Sequence, residues 1–276
     1  MNFAAVNTLI NGAPCDTISV NDRGLLYGDG VFRTLLLRKG KVLQWHRHYA
    51  CLFKDCNAIY LQCPPESLLY GELERLVQDA QDGVIKIIVT RGSAQRGYAP
   101  APHPVATRIL NLSPLPAYSE AFSTSGIRLH LCQLRLGQQP RLAGVKHLNR
   151  LENVLAAAEW DDPDIAEGLL LDESGYVIEA VRSNIFMVKN GDLITPDLSR
   201  CGVSGVQRER LIEWAAQQGV KCKIMDVPLD DLLAADEIFL VNSVIGLWPV
   251  RELPGYHCEH HPVAQVIQDW LAHDSN

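Results

Sequence analysis

Apolar and polar positions along the chain change period repeatedly, and each change predicts an element. Short strands are expected at Thr8–Ile10 and Val31–Leu37, with Asn11-Gly12 and Lys39-Gly40 as hairpin turn residues beside them. Between the strands lies the glycine-rich run Asp22-Arg23-Gly24-Leu25-Leu26-Tyr27-Gly28-Asp29-Gly30. Helical spacing follows from His48 to Tyr60 and from Glu66 to Gln81. Val84–Thr90 is rich in β-branched residues, as a buried strand is, and Thr107–Leu112 reads as its neighbour. Pro114, Pro116 and the polar Ser119–Ser125 stretch then interrupt the pattern and predict a linker.

Beyond the linker, Ile127–Leu134 alternates as a strand. The segment from Lys146 reads as a helix, with Leu148, Leu151, Val154 and Leu155 at helical spacing, ending near Trp160. Short strands are expected at Gly168–Leu171, Val177–Ile178 and Ile185–Val188, with turns at Glu173-Ser174-Gly175 and Asn190-Gly191. Val206–Gln218 is an amphipathic helix with Gly219 at its C-terminal end. Lys223–Val227 and Glu237–Val241 add strands, and Pro262–Leu271 a last helix. The pattern predicts a mixed α/β (α+β) chain of two lobes, with residues 1–116 a small N-terminal domain, 117–125 the linker, and 126–276 a larger C-terminal domain carrying Lys146. Clefts between lobes are favoured places for cofactors.

Composition narrows the function. A chain of 276 residues that is 47% hydrophobic and 21% charged suits a folded globular protein of one large or two modest domains. A net charge of −7 argues against a broad nucleic-acid or anionic-membrane surface, so local arginines must hold any anionic ligand. No apolar run has the length of a membrane span, and Met1–Ala5 lacks the basic start of a leader. The eight cysteines show no regular spacing and read as reduced thiols of a cytoplasmic protein. His257-Cys258-Glu259-His260-His261 matches none of the usual zinc spacings and is expected to be solvated polar surface, with no metal.

Chemistry concentrates in four segments. Leu142-Ala143-Gly144-Val145-Lys146-His147-Leu148-Asn149-Arg150-Leu151-Glu152 holds the only lysine between Lys86 and Lys189. An amine held partly out of water becomes neutral and nucleophilic near pH 7, the requirement for an imine with an aldehyde cofactor. An ordinary solvated lysine is the other reading. The remaining segments are Val177-Ile178-Glu179-Ala180-Val181-Arg182-Ser183-Asn184-Ile185-Phe186, Gly202-Val203-Ser204-Gly205-Val206-Gln207-Arg208 at a helix start, and Leu240-Val241-Asn242-Ser243-Val244-Ile245-Gly246. Alone, Ser-Gly before a helix is only a cap and turn signal.

Together, and in this order, the segments resemble the fold-type IV pyridoxal-phosphate enzymes: branched-chain aminotransferases, D-amino-acid aminotransferases and 4-amino-4-deoxychorismate lyases. The likeness runs from the Asp22–Phe32 segment to Pro249-Val250. It is greatest to the bacterial lyases through the Lys146 segment and Arg91-Gly92-Ser93-Ala94-Gln95-Arg96-Gly97-Tyr98. The resemblance implies a homodimer using pyridoxal 5'-phosphate, with Lys146 carrying the cofactor and moving protons. It implies that Glu179 faces the pyridine nitrogen, where a carboxylate keeps the ring a strong electron sink. Val206 and Gln207 would offer helix-start N–H groups to the phosphate, and Asn242 and Ser243 a backbone N–H and a hydroxyl.

The chain departs from the family at one position. The early helix of the family carries a His-x-x-Arg-Leu pattern whose arginine grips the phosphate. Here the run is His48-Tyr49-Ala50-Cys51-Leu52, and a thiol cannot replace a guanidinium fork. Arg47 and Lys54, four before and three after Cys51, share its helix face and are expected candidates to compensate, or else are simple surface residues.

On the substrate side, aminodeoxychorismate carries two carboxylates, which Arg91, Arg96 and Arg108 could clamp, with an ordinary surface role expected for at least one. Tyr98 and Thr34 join them on resemblance alone, while Tyr27 and Asp29 could equally be structural. The expected reaction is elimination to 4-aminobenzoate and pyruvate in folate biosynthesis. The alternatives are a branched-chain or D-amino-acid aminotransferase of the same fold, and a non-catalytic binding protein.

Overall fold

The computed structural model describes residues 7–273, so Met1–Ala5 lies outside the described residues. The chain divides into two units. The first comprises residues up to Pro116 together with Val145–Asn149, and the second comprises Ala117–Gly144 and Arg150 onward.

The first unit contains β1 (Thr8–Ile10), β2 (Ala13–Pro14), α1 (Arg23–Tyr27), β3 (Gly30–Arg38), β4 (Lys41–Val42), α2 (Trp45–Ala58), α3 (Glu66–Val77), β5 (Gly83–Thr90) and β6 (Thr107–Ser113). Its strands form a six-stranded antiparallel sheet in the order β2-β1-β6-β5-β3-β4. At the hairpin tips Asn11-Gly12 and Lys39-Gly40 all have positive φ, which suits Asn and Gly at two-residue turns. Val31, Leu35 and Leu37 of β3 alternate into a core shared with Leu52 of α2, Leu69 and Leu73 of α3, and Ile85, Ile87 and Val89 of β5. The glycine-rich run is more than a separator: Asp22 caps α1 by accepting from Gly24 N–H at 2.8 Å, and Gly28 ends the helix at φ 64.

The second unit contains α4 (Ala121–Thr124), β7 (Ile127–Leu136), α5 (Leu151–Ala157), β8 (Ile165–Asp172), β9 (Tyr176–Ala180), β10 (Asn184–Lys189), β11 (Asp192–Pro196), α6 (Val206–Gln217), β12 (Cys222–Met225), β13 (Val227–Pro228), α7 (Leu229–Leu233), β14 (Glu237–Asn242), β15 (Gly246–Leu253), β16 (Tyr256–His257) and α8 (Pro262–His273). The strands form one ten-stranded mixed sheet in the order β12-β11-β10-β14-β15-β7-β8-β9-β13, with β16 beside β15. On one face Phe186 stacks on Phe239 and packs under Leu211 and Trp214 of α6 and Ile267 of α8. On the other, Ile127, Leu169, Val177, Ile185, Ile194 and Leu240 share one core, so the sheet curls around it.

Three expectations change. The 117–125 stretch is not a bare linker: it contains α4, and the rings of Tyr118 and Phe122 both pack edge-on against Trp248. The lysine does not open a helix. Val145–Asn149 is extended beside β3, and α5 starts only at Leu151. Its apolar spacing is real, yet Leu151, Val154 and Leu155 are all exposed, which is why periodicity misplaced the helix start. Finally, Lys146 belongs with the first unit, not with the C-terminal domain, because its segment adds to the first unit's sheet.

Candidate active site

In the first unit the lysine is held through its backbone. Phe32 N–H donates to the Lys146 carbonyl at 2.9 Å and Leu148 N–H to the Gly30 carbonyl at 3.0 Å, while His147 bridges Val31. Lys146 N–H donates to Asp55 Oδ2 at 3.3 Å, and Arg33 Nη2 donates to the same oxygen at 2.5 Å. Burial pushes the Asp55 carboxyl up, and Arg33 and Lys146 offset this only in part. With its backbone tied at both ends, Lys146 has a defined side-chain origin: its Nζ lies 4.8 Å from the Phe32 ring centroid.

A second cation, Lys86 Nζ, lies 4.9 Å from the same ring, on the register partner of Thr34. Sequence reasoning missed Lys86, because it read β5 as buried on both faces. The signal was available: Lys86 is the one charged residue in that strand, and the period of two puts it on the Phe32–Thr34 face.

The arginines expected at the substrate divide. Arg91 donates through Nε and Nη2 to the Asp29 carboxylate at 2.8 and 2.9 Å, and to the carbonyls of Tyr60 and Ile59, both at 2.7 Å. Arg23 joins from α1, donating to Asp29 at 2.7 Å and to the carbonyls of Gly97 and Tyr98. Burial alone would raise the Asp29 carboxyl, but the two guanidiniums outweigh it and hold it below the usual range. Arg108 is bound to Glu72, a side chain only 2% exposed, with Nη2 at 2.7 Å. Arg91 and Arg108 are thus engaged in folding the unit. Arg96 and Tyr98 are exposed on the loop that Arg23 holds, with Tyr98 against the Tyr27 ring, and Thr34 is half-buried. On α2 the buried stripe is Trp45, His48, Leu52, Asp55 and Cys56, which puts Arg47 and Lys54 on the exposed side.

In the second unit, Glu179 on β9 is buried, and its Oε2 accepts Val203 N–H at 2.9 Å. Gly202, at φ 84, passes so close to β9 that an added Cβ would lie 2.7 Å from Ile178 Cγ2. The loop then enters α6 under the control of Asn184, whose Nδ2 donates to the Val203 carbonyl at 2.8 Å and whose Oδ1 accepts Gly205 N–H at 3.2 Å. The sequence motif contains Asn184 without marking this role. Gly205 has no side chain with which to cap α6, and this twelve-residue helix starts at Val206 and Gln207, whose N–H groups belong to its first turn.

Asn242 serves as a builder: its Oδ1 accepts the N–H groups of Val244 and Ile245, and its Nδ2 donates to Ser183 Oγ at 2.9 Å. It thereby folds the turn that presents Ser243. Ser183 in turn donates to Glu167, a carboxyl that burial pushes up.

The expected polar tail is half-exposed to exposed, with the Cys258 thiol donating to the His260 carbonyl, but His261 departs from it: both of its ring nitrogens are buried. Among the described residues, His130, Cys132 and Glu159 are the group whose potential ligand atoms converge, within 4.8 Å. Glu159 already accepts from His130 and from the N–H groups of Gln133 and Leu134, where β7 slips register against β8. That cluster is therefore accounted for as a strand-bulge clasp.

The first unit thus tethers a lysine to its sheet, and an amine suits an aldehyde; the second holds a buried carboxylate against the loop that starts a helix, and a helix N-terminus suits an anion. The model of the class IV amino-transferase family matches residues 30–253, and the chain belongs to that family. It is 37% identical over 244 residues to the aminodeoxychorismate lyase of Vibrio harveyi, covering 87% of this chain and 89% of that one. The crystal structure of 4-amino-4-deoxychorismate lyase from Pseudomonas aeruginosa superposes with a TM-score of 0.93 at 46% identity, over 97% of this chain and 98% of that chain. The branched-chain aminotransferase of Escherichia coli shares the fold, with a TM-score of 0.89 at 21% identity over 99% and 95% of the two chains.

Proposed function

We propose that the chain is a pyridoxal-phosphate-dependent 4-amino-4-deoxychorismate lyase, a carbon–oxygen lyase giving 4-aminobenzoate and pyruvate for folate biosynthesis in the cytoplasm. The observation that carries this reading is the 46% identity to a solved lyase over nearly the whole of both chains. The donor set fits the cofactor. Lys146 offers the amine for its aldehyde, and Glu179 the carboxylate for its pyridine nitrogen. Val206 and Gln207, with Asn242 and Ser243, offer N–H groups and a hydroxyl to its phosphate. When bound, the cofactor supplies an electron sink for the carbon beside the substrate amine.

The residues do the rest. Glu179 keeps the pyridine nitrogen protonated while its own second bond, from Val203 N–H, fixes its orientation. The Lys146 amine takes the ring proton from the amine-bearing carbon as the bond to the enolpyruvyl oxygen breaks, so the ring becomes aromatic. The same amine returns a proton to the methylene carbon of the departing group, which leaves as pyruvate. Lys86, Arg96, Tyr98 and Thr34 receive the substrate carboxylates; the Lys86 ammonium beside the Phe32 ring, which the Lys146 amine also faces, supports its inclusion. The exposed Leu151, Val154 and Leu155 of α5 support assembly as a homodimer, since contiguous apolar side chains on a helix mark a contact surface.

The test is direct: purified protein is incubated with aminodeoxychorismate and assayed for 4-aminobenzoate. Its absence, alongside brisk amine transfer between an amino acid and a keto acid, would replace this reading with an aminotransferase.

A further inference from the structure

Helix α2 ends in a tight reversal. Tyr60 takes a left-handed φ of 55, its N–H donates to the Asn57 carbonyl at 3.1 Å, and Leu61 N–H donates back to the Cys56 carbonyl at 2.8 Å. The reversal returns Cys63 to the helix end, where its thiol lies within hydrogen-bonding reach of the Cys56 thiol. Both pack in the core of the first unit, Cys56 fully buried and Cys63 half-buried between the exposed Gln62 and Pro65. Arg91 pins the reversal by donating to the carbonyls of Ile59 and Tyr60, both at 2.7 Å. Two thiols are thereby held together in a fixed turn, and the lyase chemistry uses neither.

The two sulfurs are not equivalent. Cys63 accepts from the Cys56 thiol and has the Tyr49 hydroxyl within reach, so its own proton is held less tightly than usual although burial opposes this. Cys56 is pushed the other way, first as that donor and then by burial. Tyr49 is itself placed by donating to the carbonyl of Pro64, the residue after Cys63, at 3.1 Å. A partly exposed thiol that ionises readily, beside a buried one that does not, is the arrangement of an attacking and a resolving cysteine.

We propose that Cys63 and Cys56 are a modification site: a peroxide oxidises Cys63, Cys56 closes a disulfide onto it, and a dithiol reductant reopens it. The Cys63 thiolate attacks one peroxide oxygen and the O–O bond breaks. The sulfur becomes a sulfenic acid, and the other oxygen leaves with the proton the thiol gave up, as water or an alcohol. The Cys56 sulfur then displaces the sulfenic hydroxyl, which departs with the Cys56 proton as water. Two thiols are oxidised by two electrons in all, and the peroxide is reduced by the same two. In a reducing compartment such a bond is transient, as a sensor's is. Closing it draws the sulfurs to about 2.05 Å. That shift falls on α2 at the residue after Asp55, the carboxylate that accepts Lys146 N–H at 3.3 Å. Oxidation therefore loosens the backbone anchor of Lys146.

The chain has no lysine or arginine between Lys54 and Arg75, so trypsin leaves both cysteines in one peptide. Reduced full-length protein is treated with hydrogen peroxide, its remaining thiols are alkylated, and the digest is analysed by mass spectrometry. The 55–75 peptide is expected to lose two hydrogens and both alkylation sites, and to regain them after dithiothreitol. Cys132 and Cys201, whose thiols burial pushes up to about 12, are internal controls and should stay reduced over that interval. C56S should stop at a Cys63 sulfenic acid that dimedone traps, and C63S should leave Cys56 reduced. Exchange of the Lys146 amide, followed by NMR without cofactor, should be about 3- to 10-fold faster in the oxidised wild type.

A 55–75 peptide that keeps both thiols until Cys132 and Cys201 react would overturn the site, and that result needs no variant to fold. Loss of the Cys56 thiol in folded C63S would overturn the order of attack. A disulfide that leaves Lys146 exchange unchanged would overturn the link to the lysine.

Discussion

Asn184 holds the backbone on both sides of Ser204, donating to the Val203 carbonyl at 2.8 Å and accepting Gly205 N–H at 3.2 Å. The fit leaves no room at Gly205, where an added Cβ would lie 2.3 Å from Asn184 Oδ1. Gly205→Ala should therefore displace the entry to α6. The expected cost is about 1–3 kcal/mol of stability and a loss of cofactor affinity, read from thermal midpoints and spectroscopic titration. Unchanged affinity would show that the α6 start does not serve the phosphate.

Lys146→Ala should leave the backbone bonds to Phe32 and Asp55 in place, since both are main-chain contacts of residue 146. It should fold, yet form no borohydride-trapped adduct and lose at least about a thousandfold in 4-aminobenzoate production. Peptide mass spectrometry after reduction decides the first point. An adduct on Lys86 in the wild type would assign the covalent role to the other lysine beside Phe32.

Glu179→Gln retains an acceptor for Val203 N–H while removing the charge. A loss in kcat on the order of a hundredfold, with substrate KM little changed, is the outcome expected if the carboxylate tunes the cofactor ring. A pure stability loss with normal kcat would confine Glu179 to holding the loop.

Arg91→Ala separates the structural from the substrate role of that arginine. Removing one guanidinium leaves the Asp29 charge with Arg23 alone, a cost of about 2 kcal/mol once solvent screening at the 15%-exposed carboxylate is allowed for. Denaturant titration should show that loss, with KM near the wild-type value for the folded fraction. The pH dependence has a definite sign. Asp29 is held below its ordinary 3.8, so its contribution is whole above that value and drains away as pH falls through the lower folded value. The stability gap between wild type and Arg91→Ala should narrow as pH falls below about 4, leaving the part due to the Tyr60 and Ile59 carbonyl bonds.

Much of the architecture was legible because it is local. The strands around Val31–Leu37 and Val84–Thr90, the α6 segment and the Asn-Gly and Lys-Gly turns follow from side-chain period and backbone freedom. Lys146 and Glu179 stood out as members of ordered motifs. What escaped was set by long-range pairing. The Lys146 segment is extended because β3 offers it hydrogen bonds, which no window around Lys146 reveals. Arg33 was overlooked because a lone arginine in a strand reads as an outward residue, although Val31, Leu35 and Leu37 share its parity and point inward. Asn184 acts on Val203 and Gly205, and Asn242, beyond folding its own turn, reaches Ser183, so these long-range roles emerge only once those loops are placed.

The extended run at Val145–Asn149 has a consequence for how the molecule is made. During synthesis, β3 emerges early and pairs with β5, but Val31 and Gly30 must wait for His147 and Leu148 to complete their other side. The first unit therefore cannot reach its final form until the second unit's opening segment, Ala117–Gly144, has left the ribosome, and that exposed strand edge is open to wrong partners for the whole interval. Lys146, the lysine proposed to carry the cofactor, arrives with the stretch that closes it, so the proposed chemistry and the completion of the early sheet come in one event.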